Sequence, residues 1–189
     1  MRIISGKFKN RKLIQPSDNQ TRPLKDVTKE SIFNVLIHSK YLKNKINNLK
    51  VLDLFSGTGS FGLECISRGA SKVFFFENYN KSLQILHKNI KKLKCENKAF
   101  VIDDDAFNFY KNNSLKKQKL DLIFLDPPYK DKNLKFFLNL IKNGNILDTN
   151  GIVIMHRHKN EIEKFPSGYQ VIEKKNYGLS KIIFLNILN

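Results

Sequence analysis

One short segment in the first third of the chain constrains its fold more than any other. Residues 50–62, KVLDLFSGTGSFG, begin with an almost continuous apolar run, which is typical of a strand buried on both faces. The run breaks at residues 56–59, and helix-like sequence follows up to Gly69. Strand, glycine turn and helix together bring a nucleotide-like ligand against backbone N–H groups at a helix N-terminus. Gly57 and Gly59 suit such a turn because glycine tolerates unusual φ and ψ values and a close ligand approach. An ordinary βα turn that binds nothing is the alternative.

Net charge is the most informative property of the composition. The chain carries 34 Lys and Arg against 17 Asp and Glu, which gives a formal net charge of +17. A surplus of this size favours a polyanionic partner through counterion release and electrostatic steering. The alternative is a lysine-rich surface that reflects codon bias, which the many Asn residues would also fit. An acidic membrane surface has less support, because no amphipathic anchor accompanies the charge.

Length, apolar runs and cysteine usage restrict the class of protein. A chain of 189 residues fits one domain, and its 15 Phe argue against disorder. No apolar run approaches the ~20 residues of a membrane span, and the first residues lack the apolar core of a signal peptide. Cys65 and Cys95 follow no pattern, so we expect buried thiols without disulfides in a cytoplasmic protein.

Residues 1–24 predict a basic, irregular arm. Short apolar pieces around Gly6 fit a small hairpin. The basic residues of its first half are Arg2, Lys7, Lys9, Arg11 and Lys12. Such arms usually only pack on a domain, but here the charge favours contact with nucleic acid. From Lys25 to about Ser39 the pattern becomes helical, with one face formed by Val27, Ser31, Ile32, Val35 and Leu36.

Two further predicted strands end in carboxylates. The apolar run 72–76 ends at Glu77, where a carboxylate can accept hydrogen bonds from both ribose hydroxyls of a nucleoside. A solvated strand-end carboxylate is the alternative for Glu77. A strand at 99–102 follows an amphipathic helix and is closed by residues 103–105, three consecutive Asp. Any of the three can cap a helix, and Asp105 could also accept from an adenine amino group. The amphipathic helix is marked by Leu83, Leu86, Ile90 and Leu93.

The next strand leads into the most specific signal in the chain. Leu120–Leu125 is apolar and runs directly into Asp126-Pro127-Pro128-Tyr129. Two consecutive prolines fix φ and remove two N–H donors, so the carbonyl groups are held rigidly and left free. A stiff loop would explain the prolines but not the flanking Asp126 and Tyr129. The rest of the pattern predicts a helix at 134–141, a strand at 152–156, and two antiparallel strands at 169–173 and 182–188.

Taken together, these motifs resemble a known family. DLFSGTGSFG, Glu77, Asp105-Ala106 and DPPY resemble class I S-adenosylmethionine-dependent methyltransferases. RIISGKFKNRKL, TRPLKDVTKESIFNVL and VLDLFSGTGSFGLECISRGA are similar to the bacterial RsmD family, which methylates the N2 amine of one guanine in 16S ribosomal RNA. The likeness covers residues 2–129 and, weakly, 176–178.

The chain departs from the family pattern at two places. It has SGTGSFG where the family commonly reads AGSGALG, a change that keeps both glycines. Its fifth strand ends in Met155-His156-Arg157-His158, where the family often has an acidic residue. His156 and His158 are not convincing metal ligands, because no Cys or carboxylate accompanies them at ligand spacing.

The resemblance implies a cofactor site for S-adenosylmethionine. The residues expected to bind it are Asp53, Phe55, Gly57, Gly59, Glu77, Asn78, Asp105, Ala106 and Asp126. Within this set, Asp53 and the two glycines would hold the methionine part. Glu77 would hold the ribose and Asp105 the adenine. Carboxylates suit a ligand that carries ammonium and sulfonium charges.

The resemblance also implies how the methyl acceptor would be bound. Asp126 and the carbonyl of Pro127 would accept the two N–H bonds of guanine N2, and Tyr129 would stack on the base. The basic arm residues Arg2, Lys7, Lys9, Arg11 and Lys12 would bind phosphates. Arg22, in the Thr21-Arg22-Pro23 segment, would either brace the DPPY loop or contact RNA.

Three other functions stay open. A DPPY loop also serves amino-methyltransferases that act on adenine or on protein glutamine. A basic RNA-binding or assembly factor with an idle cofactor pocket is possible, although four carboxylates at the expected positions argue against it. A dehydrogenase would fit the Gly57-x-Gly59-x-x-Gly62 spacing but has no use for DPPY.

The predicted fold is a doubly wound, Rossmann-like α/β sandwich. We expect a mostly parallel seven-stranded sheet with one antiparallel strand at its end and a small basic N-terminal extension. A single methyltransferase domain is predicted, with the arm at 1–24 and the catalytic core at 25–189. We expect a monomer that acts on 16S ribosomal RNA or the small subunit, without a metal ion and without a membrane.

Overall fold

The computed structural model describes residues 1–16, 24–38, 46–128 and 133–188. Two predicted site residues, Arg22 and Tyr129, lie outside these ranges. No helix within the ranges is long and apolar enough to cross a membrane.

Within the described ranges, seven strands form one mixed sheet with the order β3-β2-β1-β4-β5-β7-β6. The strands are β1 (Lys50–Leu54), β2 (Lys72–Glu77), β3 (Ala99–Asp103), β4 (Leu120–Leu125), β5 (Leu147–His158), β6 (Tyr169–Tyr177) and β7 (Ser180–Ile187). Strands β1 to β5 pair in parallel, and β7 runs antiparallel to both β5 and β6. The prediction of one antiparallel strand is confirmed. Its predicted position at the end of the sheet is wrong, because β6 pairs outside β7 and forms the edge.

Helices cover both faces of this sheet. They are α1 (Asp26–His38), α2 (Ser60–Ser67), α3 (Asn80–Leu93), α4 (Asn113–Lys116), α5 (Leu134–Asn143) and a 3₁₀ helix, η1 (Ala106–Lys111). Neighbouring residues of β1 point to opposite faces: Val51 packs with residues of α1, α2 and α3, whereas Leu52 packs with residues of η1, α4 and α5. Because a strand alternates its side chains, an apolar run such as β1 requires a helical layer on each side. The doubly wound fold is therefore confirmed.

The helix α1 buries a face that includes Ile32 and Leu36 of the predicted face but is rotated from it. Its buried residues are Thr28, Lys29, Ile32, Phe33 and Leu36. Val27, which the sequence pattern placed inward, is 69% exposed. Phe33 stacks on Phe61 of α2, with ring centroids 5.4 Å apart. Lys29 belongs to the buried face, where its ammonium group has internal partners, the Glu64 carboxylate and the Arg2 carbonyl.

The N-terminal arm packs on the sandwich through its apolar residues. An antiparallel bridge joins Arg2 to Lys12, in agreement with a small hairpin. Ile3, Phe8 and Leu13 are buried in the same core layer as α1, α2 and α3. The five basic residues of the arm are exposed. The arm is thus amphipathic, with its charge on the outer side.

Candidate active site

A cavity of about 450 Å³ opens at the carboxyl edge of the parallel strands, beside β1, β2 and β4. Its lining residues are Leu24, Asp53, Phe55, Ser56, Gly57, Thr58, Ser60, Phe61, Glu77, Asn78, Tyr79, Ser82, Phe124, Asp126, Pro127 and Pro128. Ligands of open α/β sheets bind at this edge because the loops after parallel strands meet there. Nine lining residues had no predicted site role: Leu24, Ser56, Thr58, Ser60, Phe61, Tyr79, Ser82, Phe124 and Pro128. Five of them lie within the glycine motif or the DPPY segment, whereas Leu24, Tyr79, Ser82 and Phe124 belong to neither and reach the cavity through the packing of the fold.

The glycine turn that follows β1 has a left-handed backbone. The φ angles are 63° at Phe55, 55° at Gly57 and 84° at Gly59. A Cβ on Gly59 would lie 2.5 Å from Cδ1 of Leu86, so this glycine permits close packing of α3 against the turn. Phe55 is a non-glycine residue in a region that L-residues rarely adopt, which is a feature of functional turns. The predicted turn is confirmed, and Gly59 lies against Leu86 of α3.

Glu77 ends β2 and faces the glycine turn. Its Oε2 atom accepts a hydrogen bond from the backbone N–H of Gly57 at 2.6 Å. Its Oε1 atom accepts from the N–H groups of Asn78 at 3.0 Å and Tyr79 at 2.8 Å. These bonds fix the carboxylate at the cavity wall. The alternative of a solvated strand-end carboxylate does not describe this arrangement.

Asp53 lies at the floor of the cavity and is almost completely buried, with 1% exposure. Its Oδ2 atom accepts a hydrogen bond from the N–H of Gly62 in the first turn of α2, at 3.0 Å. Burial raises the pKa of Asp53 well above its ordinary value of 3.8, and the nearby carboxylates of Asp126 and Glu77 raise it further. The Gly62 hydrogen bond opposes this shift only in part. A cationic ligand in the cavity would favour the ionised form of this carboxyl.

Asp126 and Pro127 follow the last residue of β4 and line the same cavity. In the parallel register Leu125 lies beside Met155, so the next residues along the two strands, Asp126 and His156, are neighbours. The Nδ1 atom of His156 lies 2.9 Å from Oδ1 of Asp126. Sequence analysis assigned no role to His156. The adjacency of the β4 and β5 carboxyl ends could have indicated this contact.

Asp105 and Ala106 lie at the carboxyl end of β3, on the far side of β2 from β1. Neither belongs to the cavity lining, and Gly59 does not belong to it either. Asp105 caps η1, because its Oδ1 atom accepts from the N–H of Phe107 at 2.9 Å. Asp104 accepts from the side chain of Asn108 at 2.9 Å. The capping explanation for the three adjacent carboxylates thus applies to Asp105, and a role toward adenine stays a prediction.

Buried polar groups attach the arm to the helix that follows the glycine turn. Glu64 of α2 accepts from the N–H groups of Ile4 at 2.7 Å and Ser5 at 2.9 Å. The Nζ atom of Lys29 lies 3.6 Å from Oε2 of Glu64 and donates to the carbonyl of Arg2 at 2.6 Å. Burial lowers the pKa of Lys29, and the Glu64 carboxylate opposes that shift. The arm is therefore anchored to the scaffold of the site.

A second attachment passes through Asn89 of α3. Its Oδ1 atom accepts from the N–H of Ile14 at 2.8 Å, and its Nδ2 atom donates to the carbonyls of Ile14 and Thr58, each at 3.1 Å. Thr58 belongs to the glycine turn, so one buried amide joins the arm to the cavity wall. Sequence patterns missed Asn89 because it interrupts the apolar face of an amphipathic helix.

In the described parts of the chain, no group of three or more His, Cys, Asp or Glu is placed to hold a metal ion. Cys65 and Cys95 are buried free thiols. Burial raises the pKa of Cys95 to about 11, so this thiol is not activated as a nucleophile.

A family model described as "Conserved hypothetical protein 95" matches residues 1–186. Among curated proteins, the chain is 33% identical over 183 residues to YlbH of Bacillus subtilis (strain 168), which is provisionally described as an rRNA methyltransferase. That alignment covers 96% of each protein. It is 31% identical over 180 residues to "Ribosomal RNA small subunit methyltransferase D" of Haemophilus influenzae, covering 95% of this chain and 90% of the relative.

Solved structures show the same architecture. The structure of yhhF from Escherichia coli, provisionally described as a methyltransferase, superposes with a TM-score of 0.83 at 26% identity. The superposition covers 100% of this chain and 98% of that chain. A methylase structure from Haemophilus influenzae, also described provisionally, gives a TM-score of 0.79 at 31% identity with the same coverage.

Proposed function

Because the chain belongs to the family described as "Conserved hypothetical protein 95", and because its motifs resemble the RsmD family, we propose that it transfers a methyl group from S-adenosylmethionine to ribosomal RNA of the small subunit. The finer proposal is that the acceptor is the exocyclic N2 amine of a guanine in 16S RNA. The observation that carries both is the convergence of Asp53, Glu77 and Asp126 on one cavity, with the two prolines of the DPPY segment in its lining.

The cavity fits S-adenosylmethionine on charge and shape. The cofactor carries an ammonium and a sulfonium group, and Asp53 at the cavity floor offers a buried carboxylate to such a cation. Glu77 is held at the wall by three backbone N–H groups, two on Oε1 and one on Oε2, so the acceptor capacity that remains is on Oε2 and suits one ribose hydroxyl. We propose that Phe55, Gly57 and Asn78, which also line the cavity, contact the cofactor. When bound, the cofactor supplies an electrophilic methyl group.

We propose that Asp126 and Pro127 orient the acceptor amine. The lone pair of guanine N2 is delocalised into the ring, which makes the amine a poor nucleophile. Two acceptors, a carboxylate oxygen of Asp126 and the carbonyl of Pro127, favour a pyramidal nitrogen whose lone pair points at the methyl carbon. Transfer of the methyl group from sulfur to nitrogen would leave a neutral thioether, and the amine would lose one proton, for which the carboxylate of Asp126 is the proposed acceptor.

The exposed basic residues of the arm are the proposed contact with RNA phosphates. Because Glu64, Lys29 and Asn89 anchor the arm, its lysines and arginines project from a fixed base. Such contacts set the position of the RNA and carry no base identity. The target base must leave any helix to reach the cavity.

Neutralising three arm lysines, Lys7, Lys9 and Lys12, to Gln should weaken RNA binding and make it less sensitive to salt. Each phosphate contact contributes about 0.7–0.9 to the slope of log K against log[salt], so the slope should fall by about 2–3. RNA-binding curves recorded between low and moderate salt concentration measure this slope.

A matched control neutralises three exposed lysines on other elements: Lys116, Lys117 and Lys164. The net charge changes equally in both variants. We expect the control to keep most of the salt slope. An unchanged slope in the arm variant, or an equal fall in both, would contradict a specific role for the arm.

The rival functions differ from this proposal in what they require. Methylation of adenine or protein glutamine would use the same Asp126–Pro128 loop with a different acceptor. A non-catalytic assembly factor would have no use for a buried carboxyl group, Asp53, at the floor of the cavity. We also propose a cytoplasmic monomer with one methyltransferase domain, as expected for an enzyme that meets the ribosome during assembly.

The test of the proposed function is transfer of labelled methyl groups to unmodified small-subunit RNA, with the product nucleotide identified.

A further inference from the structure

The end of β5 places a buried histidine against the carboxylate proposed to bind the acceptor amine. The His156 side chain is 5% exposed and that of Asp126 is 22% exposed. Their contact joins Nδ1 of His156 to Oδ1 of Asp126 at 2.9 Å, a normal hydrogen-bond distance. His156 itself does not line the cavity, whereas Asp126 does.

The chemistry of the pair determines which atom donates. An ionised carboxylate only accepts hydrogen bonds, so the proton of this contact resides on Nδ1 of the imidazole. A free neutral imidazole carries its proton mainly on Nε2. The contact with Asp126 therefore selects a specific tautomer of His156, as a carboxylate partner commonly does.

We propose, on the basis of the proposed methyl transfer, that His156 is a positioning residue for the acceptor site. It holds Oδ1 of Asp126, which prevents rotation of the carboxylate and leaves Oδ2 to receive an N–H bond from the acceptor amine. The strand-end backbone alone would leave the carboxylate free to rotate about χ2. Because effective positioning requires sub-ångström control of the reacting atoms, loss of this hydrogen bond should affect the rate of transfer more than binding.

Two other carboxylates face the same cavity, which makes it necessary to restrain the orientation of the Asp126 carboxylate. Asp53 and Glu77 interact electrostatically with each other and Asp126 contributes to the raised pKa of Asp53. An unrestrained Asp126 would rotate toward whichever cation or N–H donor is nearest, including the cofactor. The His156 donor gives Asp126 a partner that does not itself line the cavity.

The experiment compares His156→Phe with His156→Asn. Phe keeps a planar ring and removes the donor, whereas the Asn side-chain amide can donate from nearly the position of Nδ1. We expect His156→Phe to lower kcat by about 10- to 100-fold, with the KM for RNA and the affinity for S-adenosylmethionine unchanged. His156→Asn should recover most of the lost rate.

A second measurement uses the folded wild-type protein and needs no activity. Nitrogen NMR of the imidazole should show the proton on Nδ1 of His156, and this preference should disappear in Asp126→Ala. Transfer by His156→Phe at the wild-type rate, or a wild-type tautomer with its proton only on Nε2, would overturn the inference. A wild-type protein that transfers no methyl group would instead overturn the proposed function and, with it, the effect of the His156–Asp126 hydrogen bond on the transfer rate. The tautomer of His156 would still decide whether that hydrogen bond exists.

Discussion

Replacing Asp126 by Asn is expected to lower methyl transfer by about 100- to 1,000-fold while the protein still binds S-adenosylmethionine. The amide keeps the volume of the carboxyl group but removes its charge. One of its two positions is an NH₂ group that repels the N–H bonds of the acceptor amine. Asp126→Ala should be at least as severe, because it removes the acceptor altogether.

Cofactor binding should survive both changes, since Asp53 and Glu77 remain in the cavity. Loss of the Asp126 charge removes one of the groups that raise the pKa of Asp53, so the floor carboxyl ionises more readily. Single-turnover transfer gives the rate, and calorimetric titration with S-adenosylmethionine gives the affinity. A folded variant that loses both methyl transfer and S-adenosylmethionine binding would contradict the separation of acceptor and cofactor roles.

Replacing Asp53 by Asn should make the protein more stable and should weaken its binding of the cofactor. Burial raises the pKa of Asp53, so ionising it costs free energy in the folded state at neutral pH. Asn still offers an oxygen to the N–H of Gly62, which keeps that hydrogen bond. We expect a gain of about 1–2 kcal/mol in the free energy of unfolding and an affinity for S-adenosylmethionine about 30-fold weaker or more.

The effect of Asp53 on the free energy of unfolding should depend on pH in a definite direction. A carboxyl whose folded pKa lies above its unfolded pKa binds more protons in the folded state between those two values. The free energy of unfolding therefore falls as pH rises from about 3.8 through the folded pKa. The stability advantage of Asp53→Asn should be absent in acid and should grow with pH over that window. Urea unfolding at several pH values measures it, and an advantage that is independent of pH would contradict the role of the buried charge.

Cofactor binding should show the opposite trend in the wild-type protein. A cationic ligand requires ionised Asp53, so affinity should increase with pH through the raised pKa and binding should release protons. Calorimetry in buffers with different ionisation enthalpies detects that release, which Asp53→Asn should abolish.

The central part of the fold and of the site could be predicted from the sequence because the motifs that specify it are local. The apolar run of β1, the left-handed glycines at 57 and 59, and Glu77 at the end of β2 lie within one βαβ unit. Residues 126–128 directly follow β4, and the parallel order of the sheet brings them to the same edge. Strand bounds were less accurate where pairing decides them, as in β5, which begins at Leu147 rather than at 152.

The features that sequence could not predict depend on contacts between distant segments. Lys29 is buried because Glu64 and the Arg2 carbonyl surround its ammonium group, and no helical periodicity predicts a buried lysine. Asn89 is internal because it joins the arm to the glycine turn. His156 contacts Asp126 through the register of two neighbouring strands.

The most direct test of the central claim is to map the methylated nucleotide after transfer from labelled S-adenosylmethionine. Small-subunit particles lacking the modification, naked 16S RNA and duplex DNA are offered in parallel. The proposed function predicts N2-methylguanine in ribosomal RNA, with no label in DNA and labelling that is about 100- to 1,000-fold slower after Asp126→Asn. Label in adenine or DNA would assign the protein to another class of amino-methyltransferase, and bound cofactor without transfer to any of the three substrates would contradict the proposed function.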